Sequence, residues 1–233
     1  MQRRQFTPAL ATALLARGAG LALLGGAGRV FALGESEAAS GVRAALARGA
    51  DSAVSLLGKP GGFLDNPQVK IPLPGVLKNA ASMLRMIGQQ QRVDDLVNSM
   101  NRAAEMAVPA AKPLLLDAVR SMSVEDAVKI VRGGDTSVTD FFAAKTRAPL
   151  GEKFLPIVTA ETRKVSLAAK YNAVAGKGSS LGLVKPEDAS VEQYVTRKAL
   201  DGLYFMIGQE EKKIRADPVG TGSALLKAVF GGH

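Results

Sequence analysis

Arg92 to Pro109 reads RVDDLVNSMNRAAEMAVP. Val93, Leu96, Val97, Met100, Ala104 and Ala107 recur at helical spacing and form one apolar stripe. Asp94, Asn98, Asn101 and Glu105 run along one edge of it, at i, i+4, i+7 and i+11. The spacing predicts a core-facing helix over Arg92–Ala107, bordered by carboxylates and amides. Such a border either clamps helices together or walls a binding site.

Working outward, the apolar residues are mostly Ala, Leu and Val. Aromatics make up only 5% of the 233 residues, and Trp is absent. That composition suits tightly packed helices better than sheets. No stretch alternates convincingly as a strand, and no fixed-period repeat occurs. The fold class read from this is all-α, a multi-helix bundle of about eight or nine helices. The predicted helices are Glu35–Leu57, Val76–Ile87, Arg92–Ala107, Leu114–Met122, Val124–Arg132, Val138–Lys145, Gly151–Ala175, Val191–Ala216 and a short one around Leu225–Phe230. Ser123 with Glu125 and Asp126 reads as an N-cap with acids in the first turn, and Ser190 with Gln193 as a capping box. Gly176 to Ala189 reads as a Gly/Ser-rich loop.

Near the N-terminus, KPGGFLDNPQVKIPLPG (Lys59–Gly75) carries too many prolines and glycines for a regular helix. Yet Phe63, Leu64, Val69, Ile71 and Leu73 are apolar. The segment is expected to pack across the body of the domain; covering a cavity or touching a membrane are its alternatives.

Residues 1–32 read as a signal peptide. Arg3-Arg4-Gln5-Phe6 is a twin arginine followed by an aromatic, then an Ala/Leu/Gly-rich region, with Val30-Phe31-Ala32 at the cleavage positions. The twin-arginine type fits the pattern, with an ordinary Sec signal as the alternative. Arg17 leaves the apolar stretches short of the ~20 residues that span a bilayer, so no permanent membrane anchor is expected. Residues 33–233 are then one all-α domain, soluble and periplasmic. Removing four basic residues and no acid takes the chain from 30 basic against 21 acidic residues to 26 against 21, a charge of +5. That, with no basic block or set of stacking aromatics, gives no case for nucleic acid.

The chemistry available is narrow. Cys is absent and the single His is the last residue, His233. Disulfides, thiolate nucleophiles, iron–sulfur clusters and Cys-based zinc sites are excluded. A Ser-His-Asp triad would need the terminal histidine. No Ser precedes a Lys by three positions, so the S-x-x-K acyl-transfer motif is missing. No catalytic residue, metal or cofactor is expected.

The candidate site is Asn101, Arg102, Glu105 and Asp201, as a structural polar clamp or as an anchor for a ligand head group. Asp201 precedes the apolar run Leu203–Ile207, so a charge there needs a partner. Arg197 and Lys198 are within local reach and Arg102 is a long-range option. On this reading Asn101, Arg102 and Glu105 fix their helix against the Asp201 helix. Gly202 allows another helix to approach closely. Glu210 with Lys213 and Glu211 with Arg215 read as a solvated last turn.

Ala53-Val54-Ser55-Leu56-Leu57-Gly58, Gly62-Phe63-Leu64, Val69-Lys70-Ile71-Pro72-Leu73-Pro74, Asn101-Arg102-Ala103-Ala104-Glu105, Lys198-Ala199-Leu200-Asp201-Gly202-Leu203 and Glu211-Lys212-Lys213-Ile214-Arg215 together resemble DUF4197, a family of exported bacterial proteins. The resemblance runs from about Gly41 to Phe230. It implies an all-α exported domain and carries over no catalytic residues. Three functions are open: a non-enzymatic periplasmic binding protein for an apolar or amphipathic ligand such as a lipid; a structural or protein-interaction module with an envelope protein as partner; and a hydrolase using a carboxylate pair in one cleft.

Overall fold

The computed structural model describes the backbone of residues 26–217 and the side-chain surroundings from residue 39 onward, 76 and 79 excepted. Most of the segment read as a signal lies outside the described residues, as do the terminal helix read at Leu225–Phe230 and His233. Among the described residues the structure is all-helical, with no strand. The α-helices are α1 (Gly26–Leu57), α2 (Gly75–Met86), α3 (Gln90–Ala107), α4 (Ala111–Arg120), α5 (Val124–Arg132), α6 (Ser137–Thr162), α7 (Ser166–Ser180) and α8 (Val191–Ala216). Short 3-10 turns at Val108–Ala110 and Pro186–Asp188 link neighbours. No described helix is long and apolar enough to cross a membrane.

The stripe of α3 turns inward as its spacing requires. Val93, Leu96, Met100, Ala103, Ala104 and Ala107 are fully buried. The three alanines let α6 and α8 come close, and among the described residues those two helices form the most extensive pairing, with α3 packed on both. α1 covers the other side, against α8, α4 and α5. Phe142, Leu150, Phe154 and Val158 of α6 and Val195, Ala199 and Leu203 of α8 are fully buried between them. One apolar cluster runs through all of these elements.

Caps explain the sharpest boundaries. The Ser123 hydroxyl accepts the Asp126 N–H at 3.0 Å and the Asp126 carboxylate accepts the Ser123 N–H at 3.2 Å, a reciprocal capping box that starts α5. At α8 only half of the expected box forms: Ser190 accepts the Gln193 N–H at 3.1 Å, without the return bond.

α6 corrects the sequence reading. It is one helix of 26 residues through Pro149 and Pro156, where two helices were expected. A proline inside a helix removes one hydrogen bond and crowds the preceding turn. Here buried Phe142, Leu150, Phe154 and Val158 hold both flanks in register, so packing outweighs the local penalty. The helix expected to continue to Ala175 instead ends at Thr162. A turn at 163–165 starts α7, which continues to Ser180 through residues read as a loop.

Candidate functional site

Residues 58–74 form turns and extended chain between α1 and α2. A segment without a helical ladder must satisfy its backbone groups elsewhere. α3 supplies two of those partners. Glu105 Oε1 accepts the N–H of Phe63 at 3.1 Å and of Leu64 at 3.2 Å. Asn101 Oδ1 accepts the Ile71 N–H at 2.8 Å, and its Nδ2 donates to the Ile71 carbonyl at 3.0 Å and to the Val97 carbonyl at 2.8 Å. α8 supplies a third, since the Tyr194 hydroxyl donates to the Pro72 carbonyl at 3.0 Å. Asn101 and Glu105 are themselves buried, so each hydrogen bond is formed away from water and a missing partner would be costly.

Apolar contacts complete the clamp. Phe63 and Ile71 are fully buried, with Val69 and Leu73 nearly so. A Cβ on Gly202 would stand 2.7 Å from Phe63 Cε1. The glycine therefore makes room for the ring of Phe63, a loop residue, where another helix was expected. The segment packs across the bundle as a wedge between α3 and α8. The clamp of Asn101 and Glu105 closes on this wedge, which corrects the expectation that it grips the Asp201 helix directly.

Arg102 lies on the exposed side of α3, 3.6 Å from Glu105 Oε2. Together they border an open cleft of about 460 Å3, with Asn98 and Asp95 along α3, Glu161 and Lys164 opposite, and Gly61 at one end. Lys164 pairs with Glu161 at 2.5 Å. Glu105 and Glu161 each have a cation beside them, so the cleft is of mixed charge. Among the described residues no group of His, Cys, Asp and Glu is placed to hold a metal.

Asp201 is elsewhere. Its Oδ1 accepts from both terminal nitrogens of Arg147, at 3.1 and 3.0 Å, and its Oδ2 stands 3.7 Å from Arg197. The local option, Arg197, holds. The long-range partner is Arg147 on α6 rather than Arg102, because α8 packs on α6 along this edge. Asp201 is thus separate from the cleft of Glu105, and the four sequence candidates divide into two places. The family described as "Protein of unknown function (DUF4197)" matches residues 32–231. The chain belongs to the DUF4197 family. No curated protein and no solved structure matches it.

Four of the segments that carry the DUF4197 resemblance meet at the wedge: Phe63 on Gly202 and Glu105, Ile71 on Asn101. Two buried carboxylates of this DUF4197 chain escaped the sequence reading. Glu211 is not in a solvated turn. It accepts the N–H of Val138 at 3.2 Å and of Thr139 at 3.3 Å, capping the start of α6 from α8. Arg215 holds it at 2.9 Å and donates to the Ile130 carbonyl at 2.8 Å. Glu192 accepts from Asn172 at 2.8 Å and Thr162 at 3.3 Å, while Asn172 Oδ1 accepts the Val191 N–H at 2.8 Å. An i,i+4 ion pair was the only sequence signal at Glu211, and it does not distinguish an exposed pair from a cap reaching another helix.

Proposed function

We propose that this DUF4197 protein is an exported, non-enzymatic interaction module of the cell envelope. The observation that carries the reading is an exposed apolar face at the end of α2 on a body whose described core, between α1, α6 and α8, has little free space. The apolar void between α1, α6 and α8, lined by Val42, Leu46, Phe142 and Ile207 among others, is about 20 Å3. A single water needs ~10–15 Å3, so an acyl chain has no room there. Outside, Met83, Met86 and Ile87 are 65%, 80% and 71% exposed. Their spacing of three and four residues puts them on one face at the end of α2. An apolar face of this kind on an exported helix suits docking to another protein, and exposed methionines adapt well to a partner surface.

The lipid-carrier reading needs an internal cavity, and the hydrolase reading needs two unneutralised acids in one cleft. Glu105 and Asp201 each carry arginine partners in different places. The test is recovery of a stoichiometric envelope partner after crosslinking, with the chain expressed behind its own leader. Met83→Asp, Met86→Asp and Ile87→Asp together are expected to abolish recovery and leave the circular dichroism unchanged. Equal recovery by the triple variant overturns the reading.

A further inference from the structure

Lys170, Val174, Lys177 and Leu181 stand at steps of four, three and four residues along α7 and its C-terminal cap. At 3.6 residues per turn they fall on one ridge, about 17 Å long. The ridge faces outward. Val174 is 63% exposed and Leu181 73%, and both lysines are exposed. Leu183, 79% exposed, and exposed Lys185 follow within five residues of the helix end.

The turn after the helix keeps these leucines outside. Gly182 has φ +73°, a conformation that a residue with a Cβ rarely adopts. The turn lets the Leu183 and Val184 N–H groups both donate to the Gly178 carbonyl, at 2.8 and 3.2 Å. Val184 is thereby tucked against Gly178, where a Cβ would stand 2.9 Å from Val184 Cγ2. Leu181 and Leu183, on either side of Gly182, stay exposed. Clustered exposed apolar side chains at a hydrogen-bonded turn mark a surface that meets another apolar phase.

The charge around them is of one sign. Ser166 to Pro186 contains Lys170, Lys177 and Lys185 and no acid. None of the three lysines forms an ion pair among the described residues. The next acids, Glu187 and Asp188, lie beyond Lys185, and Asp188 is paired with Arg197. Of the acids on α3 and α8, which pack on α7, Glu105, Glu192 and Glu211 are buried, and Asp95 lines the cleft beside Lys164, before the start of α7 and away from its tip. An apolar tip among unpaired lysines complements a surface that is apolar beneath and anionic at its edge. A bilayer fits better than an acidic protein. Protein interfaces favour aromatics and arginine and are poor in lysine, and this ridge exposes neither an aromatic nor an arginine. A lysine stem can lie along an apolar layer with its ammonium at the phosphates.

We propose that the end of α7 and the turn after it dock on the surface of an anionic phospholipid bilayer, with Leu181 and Leu183 entering the apolar boundary and Lys170, Lys177 and Lys185 at the lipid phosphates. The contact is peripheral and reversible, and it takes no lipid out of the bilayer. It goes beyond the interaction-module reading and uses a surface other than the α2 face, so the two fail separately.

The test is co-sedimentation of the protein, purified after expression behind its own leader, with vesicles of phosphatidylglycerol and phosphatidylcholine in equal parts, against vesicles of phosphatidylcholine alone. Saturable binding to the first is expected, about tenfold or more stronger than to the second and weakened by high salt. One lysine near such a surface is worth about fivefold. Lys177→Gln with Lys185→Gln is therefore expected to weaken binding about tenfold or more, and Leu181→Ser with Leu183→Ser to do the same. All four residues are exposed, so the circular dichroism is expected to be unchanged. The chain has no Trp, so Leu181→Trp is a lone reporter whose emission is expected to shift to the blue on the anionic vesicles. Met83→Asp, Met86→Asp and Ile87→Asp together are expected to leave vesicle binding unchanged. Equal binding to both vesicles, binding to neither, unchanged binding by both double variants, an unshifted Trp emission, or loss through the α2 variant instead would each overturn the proposal. Saturable binding of polyglutamate but not of vesicles would also overturn it and assign the surface to an acidic protein. Failure on vesicles alongside patch-dependent recovery of an envelope partner removes this surface and leaves the module reading standing.

Discussion

Asn101 holds both backbone groups of Ile71, accepting its N–H at 2.8 Å and donating to its carbonyl at 3.0 Å. One side-chain amide thereby does for the wedge what a neighbouring strand would do in a sheet. Its own residue is buried, so neither group of Ile71 has water to fall back on.

Asn101→Ala is therefore expected to destabilise the protein by about 3 kcal/mol, since orphaned buried groups cost ~1–3 kcal/mol each. Asn101→Asp keeps the acceptor but loses the donor and turns a charge toward two carbonyls, so it is expected to be no better tolerated. Urea unfolding of both variants measures this. A loss below about 1 kcal/mol for both would mean the wedge is not held through Asn101.

Gly202→Ala is expected to destabilise despite the better helix propensity of alanine, because the new Cβ meets the Phe63 ring at 2.7 Å. Overpacking typically costs ~1–3 kcal/mol, against ~1 kcal/mol gained in propensity. Phe63→Leu should relieve it, so a double-mutant cycle is expected to show coupling between the two positions. Strict additivity would place the ring elsewhere.

Glu211→Ala removes the acceptor of the Val138 and Thr139 N–H groups at the start of α6. A stability loss of about 2–4 kcal/mol follows from one buried and one half-buried donor left without partners. Amide exchange should quicken in the first turn of α6 more than in α3. Uniform loss across the molecule would argue against a local cap.

The three tyrosines, Tyr171, Tyr194 and Tyr204, all hold their protons above the ordinary value of 10.0, and burial is the largest cause in each. Tyr194 is pushed up to about 12. The unfolded chain releases these protons first. The contribution of Tyr194 is thus intact below pH 10.0 and is lost as pH rises through about 12, and those of Tyr171 and Tyr204 are likewise intact below pH 10.0 and lost at higher pH. Absorbance at the phenolate band should stay low at pH 10.0 in the native protein and reach half its final value there in denaturant. Coincident titrations would contradict the buried placement.

The elements legible in the sequence were those with local signals. α5 and α8 begin where Ser123 and Ser190 accept a backbone N–H, and α3 follows its apolar stripe. α6 was split in reading because Pro149 and Pro156 are local breakers, whereas what overrides them is the burial of Phe142, Leu150, Phe154 and Val158 against other helices, which no local signal shows. Asn101 and Glu105 stood out as polar residues beside an apolar face. Their partners did not, because these are backbone groups of Phe63, Leu64 and Ile71, which no sequence pattern marks as acceptors or donors without a ladder. Asp201 found Arg197 by helical spacing, but Arg147 only through the packing of α6 on α8.

The central claim is that the clamp closes on protein groups alone and the core is filled, leaving recognition to the outer surface. Native mass spectrometry of the protein purified from the envelope fraction, with organic extraction of the same sample, tests it most directly. The account predicts the mass of the bare chain and no lipid in the extract. A stoichiometric lipid adduct, recovered in the extract, would contradict it.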